Sequence, residues 1–243
     1  MQRPRPFVRR RTLLIASGAV AFAPAVVLAQ PSAGKLRIGT IGAGRIGGTV
    51  GALWVRAGHA VMFSSKDPQE GQALATRLGA LARAGTVDEA IAFGDVVFLA
   101  VPYGAMPEIG REHGGALKGK IVLDAGNAVA GRDGAIAEEA EREGIGLTSQ
   151  KYLPGARIVR AFNTIGYTIL ASEAGRADPK LPIPIAGDDA EAVRVAAGLV
   201  RDAGFEPVLA GSLADARRFQ RGAPGYGPSA DAAELRRKLR APS

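Results

Sequence analysis

The chain has 243 residues, of which 47% are hydrophobic and 22% charged, a globular balance rather than a disordered one. Its formal charge of +8 falls to +3 once the five arginines Arg3, Arg5, Arg9, Arg10 and Arg11 are set apart; no basic stripe with interleaved aromatics follows, so nucleic acid is not an expected partner. There is no cysteine, and the two histidines, His59 and His113, stand far apart, which excludes disulfides and thiolate nucleophiles and argues against a zinc or iron site built by the protein.

Residues 1–29 read as an export signal. A basic stretch precedes an uncharged, alanine-rich segment from Thr12 to Ala29, and Val27-Leu28-Ala29 before Gln30 suits a signal peptidase. Arg10-Arg11 followed by Thr12-Leu13-Leu14 resembles a twin-arginine signal, a route for proteins already folded. Ser17, Gly18, Pro24 and the many alanines make the segment too weakly apolar for a lasting membrane anchor. The expected location is periplasmic or extracytoplasmic, without stable membrane insertion after cleavage.

From residue 30 apolar runs alternate with helical segments. Strands are expected at Leu36–Ile41, Ala60–Ser64, Leu81–Ala84, Asp95–Val101, Lys120–Asp124 and Arg157–Ala161. Helices are expected at Arg45–Ala57, Pro68–Leu78, briefly after Thr86, and from Ala105 to Leu117. A further strand at Ile183–Ala186, a helix at Ala190–Ala203, a strand at Glu206–Ala210 and a closing helix at Leu213–Gln220 complete residues 30–220. Residues 221–243 read as a Gly/Pro-rich stretch and a basic amphipathic tail from Asp231 to Arg240. This alternation predicts an α/β fold, a doubly wound parallel sheet with a small α/β C-terminal extension.

Gly42-Ala43-Gly44-Arg45-Ile46-Gly47 fits G-x-G-x-x-G between a strand and a helix, the context that makes the pattern a Rossmann dinucleotide fingerprint. The first glycine allows the tight turn, the second lets backbone approach a pyrophosphate, and the third lets helix and strand pack closely. An NAD site usually carries an acid at the end of the second strand. Here Ser64-Ser65-Lys66 stands there, and two hydroxyls with a cation suit the 2′-phosphate of NADPH, while Asp67 keeps NAD open. The carboxyl ends of the later strands, where open α/β sheets bind ligands, supply Val101, Pro102 and Tyr103, then Asp124 and Asn127, then Phe162, Asn163 and Thr164. The aromatics among them could equally be core, and Asn127 could serve a turn. His59 reads as a turn residue, and His113 as a cation near a helix C-terminus. No side chain stands out as catalytic.

Five strings together resemble the coenzyme F-420-dependent NADP oxidoreductases: GTIGAGRIGGTVGALWVRAGHAVMFSSKDP, VVFLAVPYGAMPEI, KGKIVLDAGN, RAFNTIGY and PIAGDDAEAVRVAAGLVRDAGFEPVLAGSLADAR. The resemblance covers about residues 35–220. It implies that Ala43 to Ile46 lie under the pyrophosphate and that Ser65 and Lys66 meet the 2′-phosphate, with Lys66 where the family has arginine. It implies that Val101-Pro102-Tyr103 lie against the nicotinamide. Three departures stand out: Glu70 falls near a basic position of the family, Asn127-Ala128 replaces Asn-Pro ahead of an insertion-like stretch from Val129 to Gly134, and an export signal precedes a domain expected in the cytoplasm. The implied activity is hydride transfer between NADPH and a flavin or deazaflavin, a small-molecule electron acceptor, with a homodimer left open. Two other readings stand beside it: an imine or ketone reductase of the pyrroline-carboxylate type, and an exported dinucleotide-binding sensor or partner protein without turnover.

Overall fold

The computed structural model describes residues 1–2 and 34–240. The signal expected at residues 1–29, with its arginine pair and cleavage site, lies outside the described residues apart from the first two. Among the described residues no helix is long and apolar enough to cross a membrane.

Eight strands form one sheet: β1 (Arg37–Ile41), β2 (Ala60–Ser64), β3 (Ala82–Ala84), β4 (Val96–Leu99), β5 (Ile121–Asp124), β6 (Arg157–Arg160), β7 (Pro182–Gly187) and β8 (Glu206–Gly211). Their order is β3-β2-β1-β4-β5-β6-β7-β8, and the first six run parallel. β7 lies antiparallel to β6 and parallel to β8. The expected small extension therefore continues the same sheet with its direction reversed. The chain leaves β1 towards β2 on one side and returns to β4 on the other, so the switch point lies between β1 and β4, where such sheets take ligands.

Nine α-helices accompany the strands among the described residues: α1 (Arg45–Arg56), α2 (Pro68–Leu78), α3 (Val87–Phe93), α4 (Met106–Leu117), α5 (Ala135–Glu143), α6 (Ile145–Tyr152), α7 (Tyr167–Glu173), α8 (Ala190–Asp202) and α9 (Ala232–Arg240). All eight expected strands form, within a residue or two at their ends. β4 stops at Leu99, two residues early, because Ala100 and Val101 already turn towards the phosphate loop. α5, α6 and α7 were not anticipated. Their apolar positions are interrupted by glycine and charge, and they form against partners distant in sequence. The closing helix expected at Leu213–Gln220 is a 3-10 helix over Leu213–Phe219. The basic tail does form a helix, and Leu235 and Leu239, four residues apart, bury themselves against the core while its cations face out.

Each face of the sheet carries a core. On one, Trp54, Phe98, Phe162 and Phe205 pack edge to face, with centroids 4.9 to 6.2 Å apart, and the Trp54 indole donates to the Leu199 carbonyl at 2.8 Å. The other gathers Ile41, Val97, Leu99, Met106, Val122 and Phe219. The histidines belong to this frame. Buried His59 accepts the Leu36 N–H at Nδ1, 3.0 Å, which leaves the proton on Nε2 for Asp202 at 2.8 Å. α4 runs on through Gly114 and Gly115 to Leu117, and His113 pairs with Asp88 of α3 at 2.7 Å rather than sitting at a helix end.

The register positions the site. Ser64, Ile41, Leu99, Asp124 and Arg160 are successive partners across β2, β1, β4, β5 and β6. One row of residues thus closes the parallel part of the sheet, and every candidate site residue lies in it or within a few residues beyond it.

Candidate functional site

The loop Gly42–Gly47 turns from β1 into α1. Gly42 has φ +98°, and a Cβ there would stand 2.5 Å from the Ala100 carbonyl oxygen and 2.9 Å from a Val101 methyl. A Cβ on Gly47 would stand 1.8 Å from the Gly42 carbonyl oxygen, so the closeness of helix to strand forbids it. Gly44 differs. Its φ is negative, and a Cβ there meets nothing within 4 Å. No atom of the described residues crowds position 44, so space is open there for a ligand to approach the backbone. α1 agrees: no side chain caps its N-terminus and its first turn holds no acid, which leaves its first N–H groups and the positive end of its dipole open to an anion. Ala43 is buried, Ile46 packs on the core, and Arg45 is exposed with its guanidinium over the Tyr167 ring, 5.3 Å from the centroid. These residues fit a dinucleotide pyrophosphate.

At the end of β2 the three candidates separate. Ser64 is buried and its hydroxyl donates to the Thr40 carbonyl at 3.0 Å, so it closes the sheet and offers nothing to a ligand. The Ser65 hydroxyl donates to the Glu70 carboxylate at 2.7 Å, and Lys66 is exposed. Asp67 caps α2, accepting the Gln69 N–H at 2.9 Å, which explains its presence without a ribose.

Past β4, Val101 lies against Gly42 and Pro102 is exposed. Tyr103 turns inward and is wholly buried. Its hydroxyl donates to the Ile145 carbonyl at 2.9 Å and shares a hydrogen bond with Ser149, also 2.9 Å. Burial, then the charge of Asp124, pushes this phenol well above its ordinary pKa, so it stays protonated. Against the expectation for Tyr103, this position can present backbone to a ligand but not its ring.

Ser149 also donates to Asp124 at 2.7 Å, and Asp124 accepts the Gly126 N–H at 2.8 Å. Arg160, fully buried beside it, pairs with Asp124 and donates to the Gly126 carbonyl. The turn after β5 is thus held by a buried ion pair. Asn127 bridges two turns, its amide donating to the Asn163 carbonyl at 2.6 Å while its own carbonyl accepts from Arg132 at 2.8 Å. Asp133 accepts the Gly104 N–H at 3.1 Å and the Val129 N–H at 2.8 Å. Burial would raise the Asp133 carboxyl, but Arg132 and the Val129 and Gly104 N–H groups outweigh it and hold the carboxyl below the ordinary range. The stretch Val129–Gly134 therefore braces the turns after β4 and β5.

Phe162 has φ +60°, uncommon for a side chain of its size, and its ring is anchored in the aromatic cluster. The bend carries the chain on to Asn163 and Thr164. The Asn163 amide donates to the Phe219 carbonyl at 3.1 Å, and the Thr164 carbonyl accepts the Gly227 N–H at 3.1 Å, so the Gly/Pro-rich stretch lies against this turn. Asn163 Oδ1 and Thr164 Oγ1 are buried without a protein partner. Sequence reading missed Arg132, Asp133, Ser149 and Arg160, each of which acts through a partner far away or inside a loop without periodicity. Among the described residues no cluster of His, Asp and Glu could hold a metal ion.

Residues 37–128 match the family described as NADP oxidoreductase, coenzyme F420-dependent. The metalloreductase STEAP3 of Rattus norvegicus is 28% identical over 191 residues, 76% of this chain and 36% of its own, so the chain spans about a third of that relative. Among solved structures, a hypothetical protein of Sinorhizobium meliloti is 28% identical with a TM-score of 0.64, over 78% of this chain and 92% of its own. A protein of Arthrobacter sp. FB24 assigned as an F420-dependent NADP-reductase shares the fold at 21% identity with a TM-score of 0.64, over 75% of this chain and 87% of its own. With the glycine loop and the strand order, these matches show a Rossmann-like α/β fold similar to that of NADP oxidoreductases.

Proposed function

We propose that the chain binds NADPH along the carboxyl edge of β2, β1, β4 and β5 and reduces a flavin- or deazaflavin-type acceptor. When bound, the dinucleotide supplies a hydride from its nicotinamide. The chain's own part is to hold the pyrophosphate on the α1 N-terminus, to draw the adenosine end to Lys66, and to wall the ring with the turns after β4, β5 and β6.

The observation that carries the acceptor class is the state of the ionisable groups at the ring end. Asp124, Arg160, Arg132 and Asp133 are all paired, and the Tyr103 hydroxyl is buried among its partners. Ring-to-ring transfer needs orientation more than a proton donor. Reduction of a ketone or imine needs an acid in reach, and among the described residues the ionisable groups named at this end are already paired. Action outside the cytoplasm, after export by the twin-arginine route, belongs to the same reading and rests on residues 1–29 alone.

The test is turnover of NADPH by the purified protein with FMN, FAD, a deazaflavin, a cyclic imine and a ferric chelate, the last because a metalloreductase stands among the relatives. Turnover is expected with the tricyclic acceptors. Turnover with the imine alone would overturn the reading. Gly44→Val serves as the control. The open space at this position lets the fold survive, while the added methyls stand where the pyrophosphate would lie, so binding of NADPH should be lost with the unfolding midpoint unchanged.

A further inference from the structure

α1 and α2 start from the carboxyl ends of β1 and β2, and their first turns differ in charge. α1 starts with Arg45 and holds no acid in its first turn, whereas α2 carries Asp67 as its cap and Glu70 in its first turn. Asp67 is spent on the Gln69 N–H. Glu70 has a different role: it receives the Ser65 hydroxyl at 2.7 Å, and among the described residues it pairs with no cation. Ser65 follows the last residue of β2, which is level with the last residue of β1; the end of the second strand is where a Rossmann fold meets the adenosine ribose, and Ser65 holds the Glu70 carboxylate beside it.

We propose that Glu70 sets the dinucleotide preference, offsetting Lys66 so that the site takes NADH as well as NADPH. A carboxylate that already holds one hydroxyl has lone pairs for the 2′- and 3′-hydroxyls of an unphosphorylated ribose. The same carboxylate repels a 2′-phosphate, and it occupies the Ser65 hydroxyl that would otherwise donate to that phosphate. Lys66 works the other way, as a point charge without the fork of an arginine. Exposed charge contacts are each worth up to roughly fivefold in affinity. With one of each sign, the two dinucleotides should bind within about tenfold of each other.

This inference rests on the dinucleotide reading above, and its test separates the two. Dissociation constants of the full chain for NADPH and NADH, and for 2′,5′-ADP and AMP as probes of the adenosine end, are measured by calorimetry in wild type and in Glu70→Gln. The glutamine keeps an acceptor for Ser65 and removes the charge. NADPH and 2′,5′-ADP should bind about three- to fivefold tighter, NADH and AMP no tighter, and the gain should shrink in high salt. Binding of both dinucleotides with a ratio unmoved by Glu70→Gln, or a wild-type preference for NADPH beyond about a hundredfold, would overturn the role of Glu70 alone. Failure of wild type to bind either dinucleotide would overturn both readings.

Discussion

At the pyrophosphate loop the shape is made by backbone and by missing side chains: a Gly42 N–H to the Ser64 carbonyl at 3.0 Å, and glycines where a Cβ would strike a carbonyl. At the ring end the shape is made by side chains. Asp124, Arg160, Ser149, Asn127 and Asp133 each hold a turn that would otherwise be free, through partners on other elements. The loop is a motif of absences at fixed local spacing, while the ring end is a network strung from residue 103 to residue 227. The two ends should therefore fail differently when altered.

The largest effect is expected inside the network. Asp124→Ala leaves the Arg160 guanidinium buried without its carboxylate and strips Ser149 and the Gly126 N–H of an acceptor. Removing one partner of a buried ion pair costs about 3–5 kcal/mol. Urea unfolding should show the loss directly, whereas Gly44→Val should leave the midpoint in place and remove only binding. Equal stability of wild type and Asp124→Ala would mean that the ring end does not depend on this pair.

The same contrast explains what could be read in advance. The glycine spacing, the strand that precedes it and the helix that follows lie within twenty residues, so the strand-to-helix glycine loop and the eight strands were legible. Ser64 was misjudged because nothing local tells a serine that caps a strand into its neighbour from one that faces a ligand. Tyr103 was misjudged for a similar reason. A tyrosine two residues past a buried strand can stack on a ring or turn inward, and the choice is made by Ser149 and Ile145, more than forty residues on. α5 and α6 escaped notice because α5 is mostly charged and α6 starts at a glycine of positive φ. The brace of Arg132 and Asp133 sits in a loop that looks like an insertion, and only its contacts show its purpose.

A middle-sized effect is expected at the adenosine end, where a single cation acts at the surface. Lys66→Ala should weaken NADPH by up to roughly fivefold, the worth of one exposed charge contact, and leave NADH nearly unchanged. Ser65→Asp should move preference further towards NADH, since a second carboxylate repels the phosphate and accepts from ribose hydroxyls. High salt should narrow any wild-type preference. The ratio of the two dissociation constants is the quantity to follow. Equal weakening of both ligands by Lys66→Ala would remove the lysine from the phosphate and turn attention to Asp67.

The smallest effect, and the one that isolates the brace, is expected from Asp133. Asparagine in its place keeps one oxygen for either the Gly104 or the Val129 N–H, loses the other acceptor, and loses the charge that faces Arg132. The cost at neutral pH should be about 1 kcal/mol, because one hydrogen bond survives and Arg132 is half exposed. The wild-type carboxyl is held below its ordinary value in the folded chain. Its contribution is therefore complete above the ordinary carboxylate pKa and is lost as pH falls through the folded one. Unfolding midpoints of wild type and Asp133→Asn, measured from neutral pH downwards, should converge in acid, because protonation does to Asp133 what the substitution does. A constant gap at every pH would mean that the loop is held by packing and that its charge is incidental. On the proposed binding mode, NADPH affinity should change little in this variant while turnover falls, since the turns that loosen are those after β4 and β5 rather than the glycine loop.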